Sequence, residues 1–124
     1  MNEFMLYGGS VVIILWGVAH ITIPTKDIIK EFGPISDDNQ RILAMEWIME
    51  GLTLAFIGLL VILITAVEGT DNPVSMLVYR ASGAILIAMA IVSLFTGSRT
   101  SIIPMKLCPP IFTTVAVLYW IASA

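Results

Sequence analysis

The chain has 124 residues, with 58% apolar and 12% charged side chains and a mean hydropathy of +0.97. A soluble domain carries about a quarter charged residues. Too little polar surface is left here to face water, which excludes an ordinary soluble enzyme and a disordered tail and points to an integral membrane protein. The net charge is −3, with no basic cluster to track phosphates, so nucleic acid is not an expected partner. The single cysteine, Cys108, excludes an intramolecular disulfide and a CxxC redox pair.

Four apolar runs follow one another along the chain. The first, 4–23, has Glu3 ahead of it but no Lys or Arg, and no small-residue cleavage motif interrupts it. It therefore reads as a retained helix and not as a signal peptide. The second spans 42–67, the third 74–96, and the fourth 105–122, weakened at its start by Pro109 and Pro110. About 20 apolar residues cross a hydrocarbon core. Backbone groups in lipid must bond internally, so each run is expected to be an α-helix; none shows the polar–apolar alternation of a barrel strand. The expected fold is all-α: a single transmembrane domain, 1–124, built as a four-helix bundle with both termini on one side.

The loop between the first two runs, 24–40, carries its own pattern. Thr25 is placed to cap a short helix, 26–32, with Ile28, Ile29 and Phe32 on one side. Gly33-Pro34 ends it. Ser36, Asp37 and Asp38 then offer caps and negative charge to the second span. This amphipathic segment is expected to lie along the membrane interface as a lid over one end of the bundle; the alternative is a plain interfacial connector.

Lys26, Lys30, Arg41, Arg99 and Lys106 fall on the side of this loop and of the loop after the third span, while the terminal side has only Arg80. That bias predicts cytoplasmic odd loops and external termini in a prokaryotic cytoplasmic membrane. Tyr7, Tyr79, Tyr119 and Trp120 are then expected in an aromatic belt at the outer interface. Arg80 is expected to snorkel outward, with a carboxylate such as Glu68 as the alternative partner. Gly51, Ala55 and Gly58, then Ala81, Ala84 and Ala88, and the glycines Gly8, Gly9 and Gly17 supply small residues for close helix packing.

The chemically informative residues are polar groups inside apolar runs, which cost about 2.5–3.5 kcal/mol at membrane depth and tend to face the bundle interior. His20 lies near the end of the first span. Glu46 and Glu50 lie one turn apart near the start of the second. Consecutive spans are usually neighbours, so the three groups are expected to converge, with Trp16 one turn above His20 and Trp47 beside the carboxylates. A carboxylic acid held neutral can donate to a carbonyl while the imidazole accepts a proton, and the indoles can stack. This suits a quinone, sterol or other lipid-soluble carbonyl. The other open interpretation leaves both glutamates solvated in the headgroup region. No metal is expected, because one His and two Glu without an ExxH pair match carboxylate-bridged sites poorly. Cys108 reads as a small buried residue at a helix start.

Gly17-Val18-Ala19-His20 followed by Pro24, then Glu46-Trp47-Ile48-Met49-Glu50-Gly51 and Gly58-Leu59-Leu60, resemble the DoxX-like families of small four-helix membrane proteins. The resemblance implies an accessory or catalytic subunit of a membrane oxidoreductase, as in a thiosulfate:quinone oxidoreductase, and implicates His20, Glu46, Glu50 and Gly51. The expected function is binding of a lipophilic small molecule, such as a quinone cofactor, by His20, Glu46, Glu50, Trp16 and Trp47. A small proton-coupled multidrug-type transporter acting as a dimer is the alternative, disfavoured because the first span has no carboxylate beyond Glu3. A non-catalytic assembly subunit is the third possibility. The bilayer, a lipophilic molecule, and a homo-oligomer or larger membrane complex are the expected partners.

Overall fold

The computed structural model describes residues 2–22 and 25–124. Helix α1 covers Asn2–Thr22, α2 Thr25–Lys30, α3 Asp37–Glu68, α4 Pro73–Phe95 and α5 Ile103–Ala122, with a 3-10 turn at Gly97–Arg99 between α4 and α5. No strand occurs among the described residues. The four long helices are each long and apolar enough to cross a membrane. The exit at Pro24 and the side chain of Thr25, where a cap is expected, lie outside what is described.

Local chemistry sets the helix boundaries. The Ser36 side chain accepts from the Asn39 N–H, so α3 starts five residues before the apolar run does. At about 1.5 Å per residue, its 32 residues reach about 48 Å, well beyond a hydrocarbon core of about 30 Å. Polar Asp37, Asp38, Gln40 and Arg41 occupy the overhang and are exposed. Gly69, at φ 77°, stops the far end, its N–H donating to the Thr65 carbonyl. Asn72 caps α4 by accepting from the Val74 N–H, with Pro73 opening the first turn. Gly33, also at φ 77°, follows the turns that end α2. Helix α5 continues through Pro109 and Pro110.

The helices form a ring in which α1 lies against α3 and α5, and α4 against α5 and, more lightly, α3. Side chains sort by face. Phe4, Leu15, Phe56, Val67, Leu77 and Val92 point outward, as a lipid-facing surface requires. The interior holds Leu6, Ile13, Leu54, Val61, Leu86, Phe112 and Val115, together with polar Ser10, His20, Thr65, Ser75 and Ser82.

The tightest seam joins α1 to α3. A Cβ built on Gly17 would lie 2.5 Å from the Gly51 carbonyl oxygen, and one on Gly51 would lie 2.6 Å from that of Gly17. A Cβ on Gly58 would meet the Ser10 carbonyl at 2.7 Å. Lipid gives no hydrophobic force between helices, so such backbone approach is what binds them. Gly9 faces the Tyr119 ring and Gly83 the Trp120 indole, whereas Gly8 meets nothing. Ala81, Ala84 and Ala88 do not face the interior; all three are exposed, and Ser75, Tyr79, Ser82, Gly83 and Leu86 form the inner face of α4 instead.

The aromatic belt expected at the outer interface also needs correction. Tyr79 and Tyr119 are fully buried. The Tyr119 hydroxyl pairs with Ser10 Oγ at 2.9 Å, linking α5 to α1, and the Tyr79 hydroxyl pairs with Thr65 Oγ1 at 2.8 Å, linking α4 to α3. A phenol at the end of a span can turn toward headgroups or inward, and here inner hydroxyls need partners that lipid does not supply. Trp120 is partly exposed, and its indole N–H donates to the Arg80 carbonyl at 3.2 Å. Arg80 is exposed, and its guanidinium donates to the Ser123 carbonyl at 2.7 Å, where a cation meets the negative end of α5. Glu68 accepts instead from Asn72 at 2.9 Å.

The termini share one end of the bundle, where Gly9 and Ser10 meet Tyr119. The two odd loops share the other, where Asp27, Ile28 and Glu31 line a crevice with residues 101–104. Two substitutions rank these contacts. Gly17→Val drives side-chain atoms into the α3 backbone and is expected to cost at least the ~1–3 kcal/mol of an overpacked core. Tyr119→Phe removes one interhelical hydrogen bond, worth about 0.6 kcal/mol on average in a membrane. Reversible unfolding in mixed micelles should show the glycine variant as the more damaged.

Candidate functional site

The close α1–α3 seam determines what comes together at the loop end of the bundle. His20 sits half a turn from the end of α1, and its Cβ lies 2.9 Å from where a Gly51 Cβ would be. The missing side chain at Gly51 therefore leaves room for the imidazole against α3. His20 is 3% exposed. Its Nδ1 lies 2.7 Å from the Trp16 carbonyl oxygen. A carbonyl only accepts, so Nδ1 carries a proton, and in the neutral ring Nε2 carries the lone pair. Two indoles hold the ring in place. Trp47 stacks on it at 4.6 Å between centroids and 28° between planes, and Trp16 meets it edge-on at 5.3 Å and 74°.

Nε2 faces Glu50. The gap to Glu50 Oε1 is 3.9 Å, too long for a direct hydrogen bond, and Nε2 has no hydrogen-bond partner among the described residues. The Trp16 and Trp47 indole N–H groups are also buried without partners. Three unpaired polar atoms around one imidazole form a concentration of unmet hydrogen-bonding capacity, in a structure where such groups are otherwise rare.

The expected convergence of His20, Glu50, Trp16 and Trp47 is present. Glu46 is different: it is exposed. It lies one turn closer to the start of α3. It faces the rim of a groove and does not join the imidazole. The residue that sequence reasoning missed is Cys108. It lies on α5, is 4% exposed, and places its Sγ within 4.8 Å of the ligating atoms of His20 and Glu50. Its thiol also lies 3.7 Å from the Pro104 carbonyl. Three different spans thus supply an imidazole, a carboxylate and a thiol to one point.

Outside this cluster, two grooves of about 440 Å³ each meet at Glu50, Met89 and Met105. The first runs under α2, where Ile28, Ile29 and Phe32 face Leu43, Glu46, Trp47, Met49 and Thr53 of α3. The second runs between α3 and α4 past Ile85, Ala88 and Val92 to Cys108. Both are mainly apolar, and flexible methionine side chains give their shared wall an adaptable surface. Ile28 and Ile29, on one side of α2, form part of the first groove's wall.

Comparison with known proteins finds no matching protein family, no similar curated protein and no similar solved structure. Labelling separates the two glutamates. In a Cys108→Ser background, Glu46→Cys is expected to react rapidly with a membrane-impermeant maleimide, and Glu50→Cys more slowly. Equal rates would place both carboxylates in the same environment.

Proposed function

We propose that this integral membrane protein binds a lipid-soluble, quinone-like carbonyl compound in the groove between α2, α3 and α4, as a DoxX-like subunit of a membrane oxidoreductase. The observation that carries the proposal is the polar end of an otherwise apolar groove. Glu50 alone among its carboxylates is backed by a buried imidazole, and it lies where two apolar grooves meet. A ring with an isoprenoid or alkyl tail would lie along Ile85, Met89 and Val92, with a carbonyl oxygen directed at Glu50. His20 would hold or release a proton at Nε2, and Trp47 would keep its ring in register. The amphipathic α2 would exclude water and headgroups from the mouth. Mostly apolar walls with a few convergent polar groups are the usual make-up of a small-molecule site.

The excess of Lys and Arg at the odd-loop end supports a cytoplasmic membrane orientation with both termini outside. The site then opens toward the cytoplasmic face.

Binding is testable in nanodiscs, with Trp16 and Trp47 as built-in fluorophores. A short-chain ubiquinone or menaquinone analogue should quench tryptophan emission saturably. Glu50 donates to that carbonyl only as the neutral acid, and loss of a neutral hydrogen bond costs about 0.5–1.5 kcal/mol, so Glu50→Ala is expected to weaken binding roughly two- to tenfold, with Glu46→Ala nearly neutral. Unchanged affinity in both Glu50→Ala and His20→Ala removes the site. Proton-linked solute flux in liposomes would instead identify a transporter.

A further inference from the structure

We infer that His20, Glu50 and Cys108 form a binding site for one divalent transition-metal ion, of the Zn2+ class. The donor atoms are His20 Nε2, a Glu50 carboxylate oxygen and Cys108 Sγ, and all lie within 4.8 Å of one another. In a tetrahedral zinc site, with bonds of about 2.0–2.3 Å, ligand atoms lie about 3.3–3.7 Å apart. The 3.9 Å between Nε2 and Glu50 Oε1 is already close to that, and Glu50 and Cys108 carry rotatable side chains that an ion would draw inward.

Four observations favour an ion over a merely packed cluster. First, Nε2 is buried, has no hydrogen-bond partner among the described residues and lies 3.9 Å from Glu50 Oε1, and Cys108 Sγ joins the imidazole and the carboxylate within 4.8 Å. Second, Nδ1 donates to a backbone carbonyl, the outer hydrogen bond that fixes a metal-ligating histidine's tautomer and ring orientation. Third, the two indoles clamp the ring so that it cannot rotate away. Fourth, the charges balance. A thiolate and a carboxylate carry two negative charges, a neutral imidazole none, and a divalent ion brings the sum to zero, as a site within the bundle requires. The thiolate selects a borderline-soft ion over Mg2+ or Ca2+.

Three protein ligands leave a fourth position. Glu50 and Cys108 both line the groove between α3 and α4, so that position faces it and is open to water or to an oxygen of the groove's occupant. With the ion bound, Nε2 and Glu50 are ligands and hold no proton, so a carbonyl in the groove would meet the metal in place of Glu50; metal binding itself does not depend on the lipophile proposed above, and the test contains none.

The chain has one cysteine and one histidine, so wild-type spectra assign themselves. Purified protein in detergent, stripped with chelator and titrated with Co2+, is expected to take up one equivalent. It should develop the near-ultraviolet thiolate-to-cobalt charge-transfer band and the visible bands of tetrahedral Co2+, both displaced by Zn2+. Zn2+ should also shift the imidazole Nε2 resonance of 15N-histidine-labelled protein. Cys108→Ser should abolish the charge-transfer band, and Glu50→Gln should weaken uptake, with circular dichroism reporting the fold. Absence of the band in the folded wild-type protein overturns the proposal whatever the variants do, as does a band accompanied by no change at Nε2. Equal uptake of Mg2+ would also overturn it.

Discussion

Contact between two bare stretches of backbone, at Gly17 and Gly51, is the constraint on which the rest depends. In water, helices are driven together by removing apolar surface from solvent. Lipid offers no such drive, and attraction comes from close van der Waals contact and hydrogen bonds. Each glycine faces the other's carbonyl at a distance that admits no Cβ. This seam brings the end of α1 against α3 and sets the register in which His20 meets Glu50. The imidazole occupies space that any side chain at position 51 would need.

Polar groups inside the bundle follow from the same solvent. Ser10 with Tyr119 and Thr65 with Tyr79 each close a hydrogen bond between spans, and Arg80 satisfies a carbonyl at the end of α5. Thr65 also donates back to the Val61 carbonyl, so its hydroxyl serves two partners. The cluster around His20 breaks this pattern. There the ring nitrogen and two indole N–H groups remain unpaired, at the point where the apolar grooves converge. Ser75 Oγ is the other buried polar side-chain atom without a partner among the described residues, so three of the four lie together at one candidate binding point.

Much of this was legible in the sequence. Hydropathy alone located four spans, because apolar stretches of 18 to 26 residues have few other uses. The Ser36 cap, the small amphipathic helix and the pairing of Glu50 with His20 followed from turn chemistry and from helix adjacency. The early start of α3 was harder, since a polar overhang carries no hydropathy signal. Tyr79 and Tyr119 misled because a tyrosine near a span end is equally at home in a belt or a core. Serines at helical spacing beside Tyr79, namely Ser75 and Ser82, marked the true inner face of α4, while the more regular Ala81, Ala84 and Ala88 did not. Glu46 and Glu50 share a face, yet only the deeper one is partly covered, beside the buried imidazole of His20. Cys108 arrives from the last span, and nothing near it in the sequence announces the imidazole it approaches.

The central claim is the juxtaposition of a buried imidazole and a carboxylate across the α1–α3 seam, and a dipolar-coupling measurement tests it directly. With the single histidine labelled with 15N and the glutamates with 13C at the carboxyl, magic-angle-spinning spectra of protein in lipid should show Nε2 coupled to one carboxyl carbon, at a distance consistent with the 3.9 Å Nε2–Oε1 separation. That coupling should vanish in Glu50→Gln and persist in Glu46→Gln. No coupling in the wild-type protein, or one lost with Glu46, would contradict the arrangement.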